Sequence, residues 1–315
     1  MTELGVVEGP ERGAWVKLNG RPTSDAAFPR AVSSVRHARR TRLVIVGLLA
    51  PALIVGATVA CTLALMAYVS VQQRFPGEAS FTLSHYVAYF SDSYLVDAAL
   101  RTIALGAITT LICAVLGYPV AWYLVMSTSR HVYLVFIVVL TPLLVSIVVR
   151  TIGWTVLLGN EGLINAALVG IGVINEPLRL MQSFWSVVAG MVHVLLPFMI
   201  LSITAVLGRL DRDAIDAAMT LGATPAKTFW LVTLPLSIPG VATGAVIVFC
   251  LAVGSYLTPL WLGRGSVPVM ALTVREQVID LGDWPGGAVQ AMILTVGALG
   301  LIGLLSMAVA RMSRR

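Results

Sequence analysis

Residues 216–235 read DAAMTLGATPAKTFWLVTLP. Two prolines, a lysine, an aspartate and several threonines interrupt a chain whose flanks on either side are apolar for longer than a soluble core requires. Local chemistry predicts a helical hairpin here. Asp211 is placed to cap a first helix that begins near Leu210, Asp213 falls in its first turn where the macrodipole favours an acid, and Gly222 supplies the left-handed residue that ends it. Thr224 followed by Pro225 is an N-cap with proline at the first helical position, so a second helix should run to about Thr233 and stop at Pro235. Asp216, Ala217 and Ala218 then form a small-surfaced knob with one charge, suited to a partner's groove; the same residues would also serve in any packed loop.

The rest of the chain explains why such a hairpin needs a partner. Of 315 residues 58% are apolar and only 11% charged, and the mean hydropathy is +0.90, which excludes an ordinary soluble domain and defines an all-α integral membrane protein. A bilayer core of about 30 Å needs roughly 20 apolar helical residues. Six such stretches occur, near Leu43–Ser70, Leu100–Met126, Val132–Val149, Phe184–Leu207, Ile238–Leu260 and Gly287–Ala310. Cys61, Cys113 and Cys250 lie inside apolar runs and are spaced for neither a disulfide framework nor a metal. Two loops are long enough to hold structure. Thr151–Ser183 contains GLINAALVGIGVI, too short to span and read as an interfacial or re-entrant helix, and Trp261–Gly286 contains VREQVIDLGDWPGG, read as a short helix closed by a turn.

Six spans put both termini on one side. Sorting the basic residues accordingly places 15 Lys and Arg on the terminal side and 6 on the other; with 7 and 8 acids, the two faces carry +8 and −2. The positive-inside rule therefore assigns the termini and the hairpin to the cytoplasm. Residues 1–42, polar and ending in HARRTR, read as a basic, largely disordered cytoplasmic tail that sets topology. The basic residues form no aromatic-interleaved stripe, so nucleic acid is not an expected partner; membrane lipid is.

Asp-Ala-Ala, three residues, Gly222, nine residues, then Val232-Thr233-Leu234-Pro235 resembles the EAA loop of ABC-importer permeases, whose pattern is Glu-Ala-Ala, three residues, Gly, nine residues, Ile, any residue, Leu-Pro. Asp216 replaces the glutamate and Val232 the isoleucine, and all spacings match. FTLSHYVAYF, LGYPVAWYL, NEGLINAALVGIGVI, VHVLLPFMIL and GDWPGGA extend the resemblance, over roughly residues 80–310, to B-type permease subunits of spermidine/putrescine importers. The resemblance implies the type I importer fold, with a transmembrane domain over residues 96–308 after the first helix at 43–70. Within it, residues 208–236 would form the coupling loop that docks on a cytoplasmic ATPase through Asp216, Ala217, Ala218, Gly222 and Pro235. It also implies a complex with two ATP-binding cassette subunits, a second homologous permease and an extracytoplasmic substrate-binding protein. The chain has no GxxxxGK[ST] loop, so ATP and magnesium belong to the partner ATPase and this subunit carries no cofactor and no enzymatic step.

A polyamine path calls for carboxylates and aromatic faces. Glu161, Glu176, Asp280 and Asp283 lie in the outer loops, near Trp154, Trp185, Trp261 and Trp284 in sequence. Each also has a plain structural reading, tryptophans as interface anchors and acids as solvated or turn-forming groups. Arg150, near the outer end of the third span, opposes a passing cation if it lines the path; it would then favour an anion or an amphoteric solute such as an amino acid or opine. Otherwise it snorkels or pairs with an acid. His193 lacks a His or acid at helical spacing and reads as a packing residue. An ion-coupled carrier acting alone would need charges near mid-span, and a membrane enzyme would need paired catalytic groups; neither pattern is present.

Overall fold

A computed structural model describes residues 29–77, 80–210 and 212–312. Chain contacts divide it into Met1–Cys61 and Thr62–Arg315. The described part of the first unit is helix α1, Pro29–Ser70, which continues past Cys61 into the second. Residues 29–42, expected as part of an unstructured tail, are helical: Pro29 stands at the first helical position, and the arginines and alanines that follow are good helix formers. The remainder of the expected tail lies outside the described residues.

The second unit continues through α2 (Ser84–Ser91), α3 (Ser93–Met126), α4 (Val132–Leu144), α5 (Ile147–Leu158), α6 (Leu163–Gly170) and α7 (Phe184–Leu207). After these come α8 (Arg212–Thr220), α9 (Pro225–Thr228), α10 (Leu234–Val253), α11 (Met270–Arg275) and α12 (Trp284–Met312). Six helical stretches are long and apolar enough to cross a membrane. Their core is the mutual packing of α3, α7 and α10, in which Met199, Ile200 and Ile203 are fully buried with Leu105, Cys113 and Val248. Close approach comes from missing side chains: a Cβ on Gly106 would lie 2.8 Å from Val253 Cγ2, and one on Gly244 2.6 Å from Met199 Sδ. In a membrane, where lipid is as apolar as leucine, this contact between backbones is what drives helix association.

The third span departs from the expected Val132–Val149. Helix α4 has 13 residues, about 20 Å, too short to cross alone, and the chain breaks at Val145, which is extended at φ −82° and ψ 131°. By length and composition the crossing stretch is Ile147–Gly170, yet it contains the polar turn Gly159–Gly162, whereas α4 and α5 both run along α7. Leu134, Val138 and Pro142 share an apolar hollow of about 450 Å³ with Leu196, Pro197 and Ile200, and Trp154 of α5 meets His193 of α7 edge to face at 5.7 Å. We therefore read α4 and α5 together as one broken crossing antiparallel to α7. Thr151–Leu158, expected in a loop, belongs to it, and only α6 remains of the expected interfacial helix. The loop that carries α6 is pinned by Asn165, which is buried. Its Nδ2 donates to the carbonyls of Gly159 (3.0 Å) and Leu178 (2.9 Å), and its Oδ1 accepts from Leu178 N (2.9 Å).

Candidate functional site

At one end of the bundle the first helix, the glycine turn and the threonine cap of the hairpin stand where the sequence puts them; the expected Asp211 cap lies outside the described residues. Helix α8 carries Asp213 in its first turn, and Asp216 and Ala217 are exposed. Gly222 ends the helix at φ +87°. Gly222 N donates to Met219 O (2.9 Å) and Ala223 N to Ala218 O (3.1 Å), the two reversed bonds of a Schellman motif, which consume carbonyls that a helix end would otherwise leave unpaired. Thr224 then starts α9, its Oγ1 accepting from Lys227 N at 3.4 Å with Pro225 next in line. Leu221, at the tip, is 88% exposed, and Trp230 and Leu231 are also exposed.

Pro235 does not stop the second helix. Residues Phe229–Thr233 form a π-helical turn in which Leu234 N reaches back to Phe229 O, and the helix continues as α10, so the fifth crossing runs Pro225–Val253 rather than Ile238–Leu260. A π turn widens the helix by one residue and moves the preceding carbonyls away from the pyrrolidine ring, which lets proline pass at a point where an ordinary turn would clash.

Residues that the sequence did not single out brace this turn. Phe229 packs edge to face against Tyr118 (5.6 Å) and Trp122 (5.3 Å) of α3, and Tyr118 Oη hydrogen-bonds Ser237 Oγ at 2.8 Å. Tyr118 and Trp122 are four apart and share a helix face, a pattern present in LGYPVAWYL but uninformative until Phe229 arrives from over a hundred residues away. The π turn is thus joined to α3 by aromatic contacts, and α3 to α10 by one hydrogen bond.

At the other end, Asp283 shapes a turn. Its Oδ1 accepts from Gly286 N (3.1 Å), its Oδ2 accepts from Gln277 Nε2 (2.7 Å), and it caps α12. Trp284 beside it is 51% exposed. Asp280 is held by Arg275 through two contacts of 2.8 and 3.2 Å. Glu161 is exposed in the turn between α5 and α6, apart in sequence and in structural element from Asp283. Arg150 pairs with no acid among the described residues; its Nη1 donates to Pro142 O at 2.8 Å, a cation on the last turn of α4 at the break of the third crossing. His193 is taken up in the contact with Trp154.

Six helical stretches long and apolar enough to cross a membrane, closely packed through glycines, with a hairpin projecting from one end, define a multi-pass membrane protein. The family model described as "Binding-protein-dependent transport system inner membrane component" matches residues 119–314, and the chain belongs to that family, an inner-membrane transport component rather than an enzyme. The chain is 30% identical over 234 residues to the spermidine/putrescine transport system permease protein PotB of Escherichia coli, covering 74% of this chain and 83% of that one. It is also 30% identical over 209 residues to the molybdenum transport system permease protein ModB of Mycobacterium bovis, covering 65% and 77%. The crystal structure of a bacterial ABC transporter involved in the import of the acidic polysaccharide alginate superposes with a TM-score of 0.74 at 16% identity, covering 89% of this chain and 99% of that one. The chain is therefore a permease subunit of an ABC importer in the bacterial inner membrane.

Proposed function

We propose that this subunit imports polyamines of the spermidine and putrescine type and is driven through the hairpin. In this reading the termini and hairpin are cytoplasmic, residues 96–308 are the transmembrane domain, and the segment 208–236 is the coupling loop. Asp216, Ala217, Ala218 and Gly222 seat in a cleft of an ATPase subunit, while Pro235 and its π turn join the loop to the fifth crossing. Two such ATPase subunits bind ATP and magnesium, a second homologous permease completes the conduit, and an extracytoplasmic binding protein delivers substrate. The observation that carries the coupling role is the brace of Phe229, Tyr118, Trp122 and Ser237, because a docking surface transmits work only if it is stiffly joined to what must move.

The substrate assignment rests on the similarity to the polyamine permease and on the −2 balance of the outer face, which does not repel cations. Glu161, Asp283 and Trp284 are the outer groups placed to meet a polycation. Arg150 keeps its charge and works against a cation; its Nη1 is turned to the Pro142 carbonyl at the break of the third crossing. The test is reconstitution with the ATPase, partner permease and binding protein, followed by vanadate-sensitive uptake of labelled spermidine. Competition by putrescine, with no competition by amino acids or sugars, is the expected result; uptake unaffected by omission of this chain would refute the assignment.

A further inference from the structure

Opposite the hairpin, α2, the start of α3, the segment after α11 and the first turns of α12 enclose a cavity of about 300 Å³, at the lower end of the range for small-ligand sites. Asp92, Glu276 and Asp283 line it with His85, Tyr94, Gln277 and Gln290, and its lining includes no lysine or arginine. Two of the three carboxylates have structural work. Asp92 Oδ1 accepts from Tyr94 N at 2.9 Å, and Asp283 holds Gln277 and the start of α12. The Glu276 side chain is exposed and has no hydrogen-bond or ion-pair partner among the described residues; its backbone carbonyl accepts from Leu281 N at 3.0 Å. The second observation is independent of the acids: Gln290 is 1% exposed, yet its Oε1 accepts no hydrogen bond. A buried acceptor without a donor costs free energy comparable to a lost hydrogen bond unless something supplies one. The Tyr89 hydroxyl already donates to Leu95 O at 3.4 Å and is not the missing donor.

We propose that this cavity binds a protonated alkylamine. An ammonium group has three donors and no acceptor, which matches the unpartnered Glu276 carboxylate and Gln290 Oε1, while the Tyr94 ring offers an aromatic face. A compact metal ion fits less well: among the described residues no three His, Cys, Asp or Glu side chains gather closely enough to hold one. The proposal deepens the polyamine reading and rests on it for the identity of the amine, but the site is defined by its own chemistry. Asp92 comes from a part of the chain far from Glu276 and Gln290, and folding brings all three to one cavity. Such a site would hold one ammonium of a substrate at the outer entrance of this subunit.

The test uses the full chain in lipid nanodiscs with putrescine as the probe and 1,4-butanediol, the same carbon chain without charge, as the control, both followed by calorimetry. Putrescine is expected to bind and butanediol not. Glu276→Gln should weaken binding roughly tenfold, the scale of one lost charged hydrogen bond, and Gln290→Leu should weaken it as well. Because the exposed Glu276 side chain makes no hydrogen bond or ion pair among the described residues, its replacement should leave the fold intact, and Glu276→Lys, which carries an ammonium of its own, should abolish binding. Arg130→Gln, on the exposed turn between α3 and α4, should change nothing. Equal binding of butanediol, or unchanged affinity in Glu276→Gln and Glu276→Lys, overturns the inference. The failure of the broader reading looks different. If the assembled importer takes up no polyamine but putrescine binding still depends on Glu276, the substrate assignment falls and the site stands; if uptake proceeds and Glu276→Gln binds as the parent does, the site falls alone.

Discussion

Replacement of Gly222 tests whether the hairpin transmits motion by virtue of its geometry. The residue sits at φ +87° with open space around a prospective Cβ, so a substitution meets no clash and its whole cost is conformational. Holding an L-residue in the left-handed region costs about 1–2 kcal/mol, and more for a β-branched one. Gly222→Val should therefore disfavour the formed Schellman turn by about 2 kcal/mol, on the order of 30-fold in the local equilibrium. Gly222→Asn, which tolerates this region, should lose only a few tenths. Neither touches the α3, α7 and α10 core, so membrane insertion and thermal stability in detergent should be unchanged. The assay is ATP hydrolysis stimulated by liganded binding protein, with uptake, in proteoliposomes of the assembled importer. Valine should lower both strongly while asparagine keeps most of both. Equal activity of the valine variant and the parent would refute the argument that the turn must be formed. Equal loss in valine and asparagine would show that space at this position matters, contrary to the empty surroundings.

Substitutions at two further positions test the loops at the other end. Asn165→Leu removes three hydrogen bonds from a buried side chain and leaves Leu178 N and two carbonyls without their partner; a loss of about 3 kcal/mol is expected, read as a lowered melting temperature in detergent. Asp283→Ala removes both the cap on Gly286 N and the anchor for Gln277, for about 1–2 kcal/mol. Asp283→Asn, which keeps the cap oxygen but cannot accept from Gln277 Nε2, should fall between, and identical melting of the aspartate and alanine forms would contradict the capping role.

The parts of this protein legible in its sequence are those settled within a few residues. Apolar runs of membrane length, the proline after Thr224 and the glycine at the end of α8 state their own structure, because helix formation, capping and left-handed turns are decided by neighbours in the chain. The similarity carried by Asp216–Pro235 was readable for the same reason. Where local signals were ambiguous, tertiary packing decided. The apolar run after Val132 gave no sign of the break at Val145, which follows α7 and is closed by Arg150; Pro235 read as a stop, yet the π turn braced by Tyr118 and Trp122 carries the helix through it. Glu276 and Gln290 looked like ordinary residues of a loop and a span, and gain meaning only where folding sets them beside Asp92, nearly two hundred residues earlier in the chain. The sequence by itself determined a six-crossing membrane subunit with a projecting hairpin. The tertiary structure alone decided how that hairpin is braced and where charge gathers at the far end, because both depend on contacts between helices that no local pattern encodes.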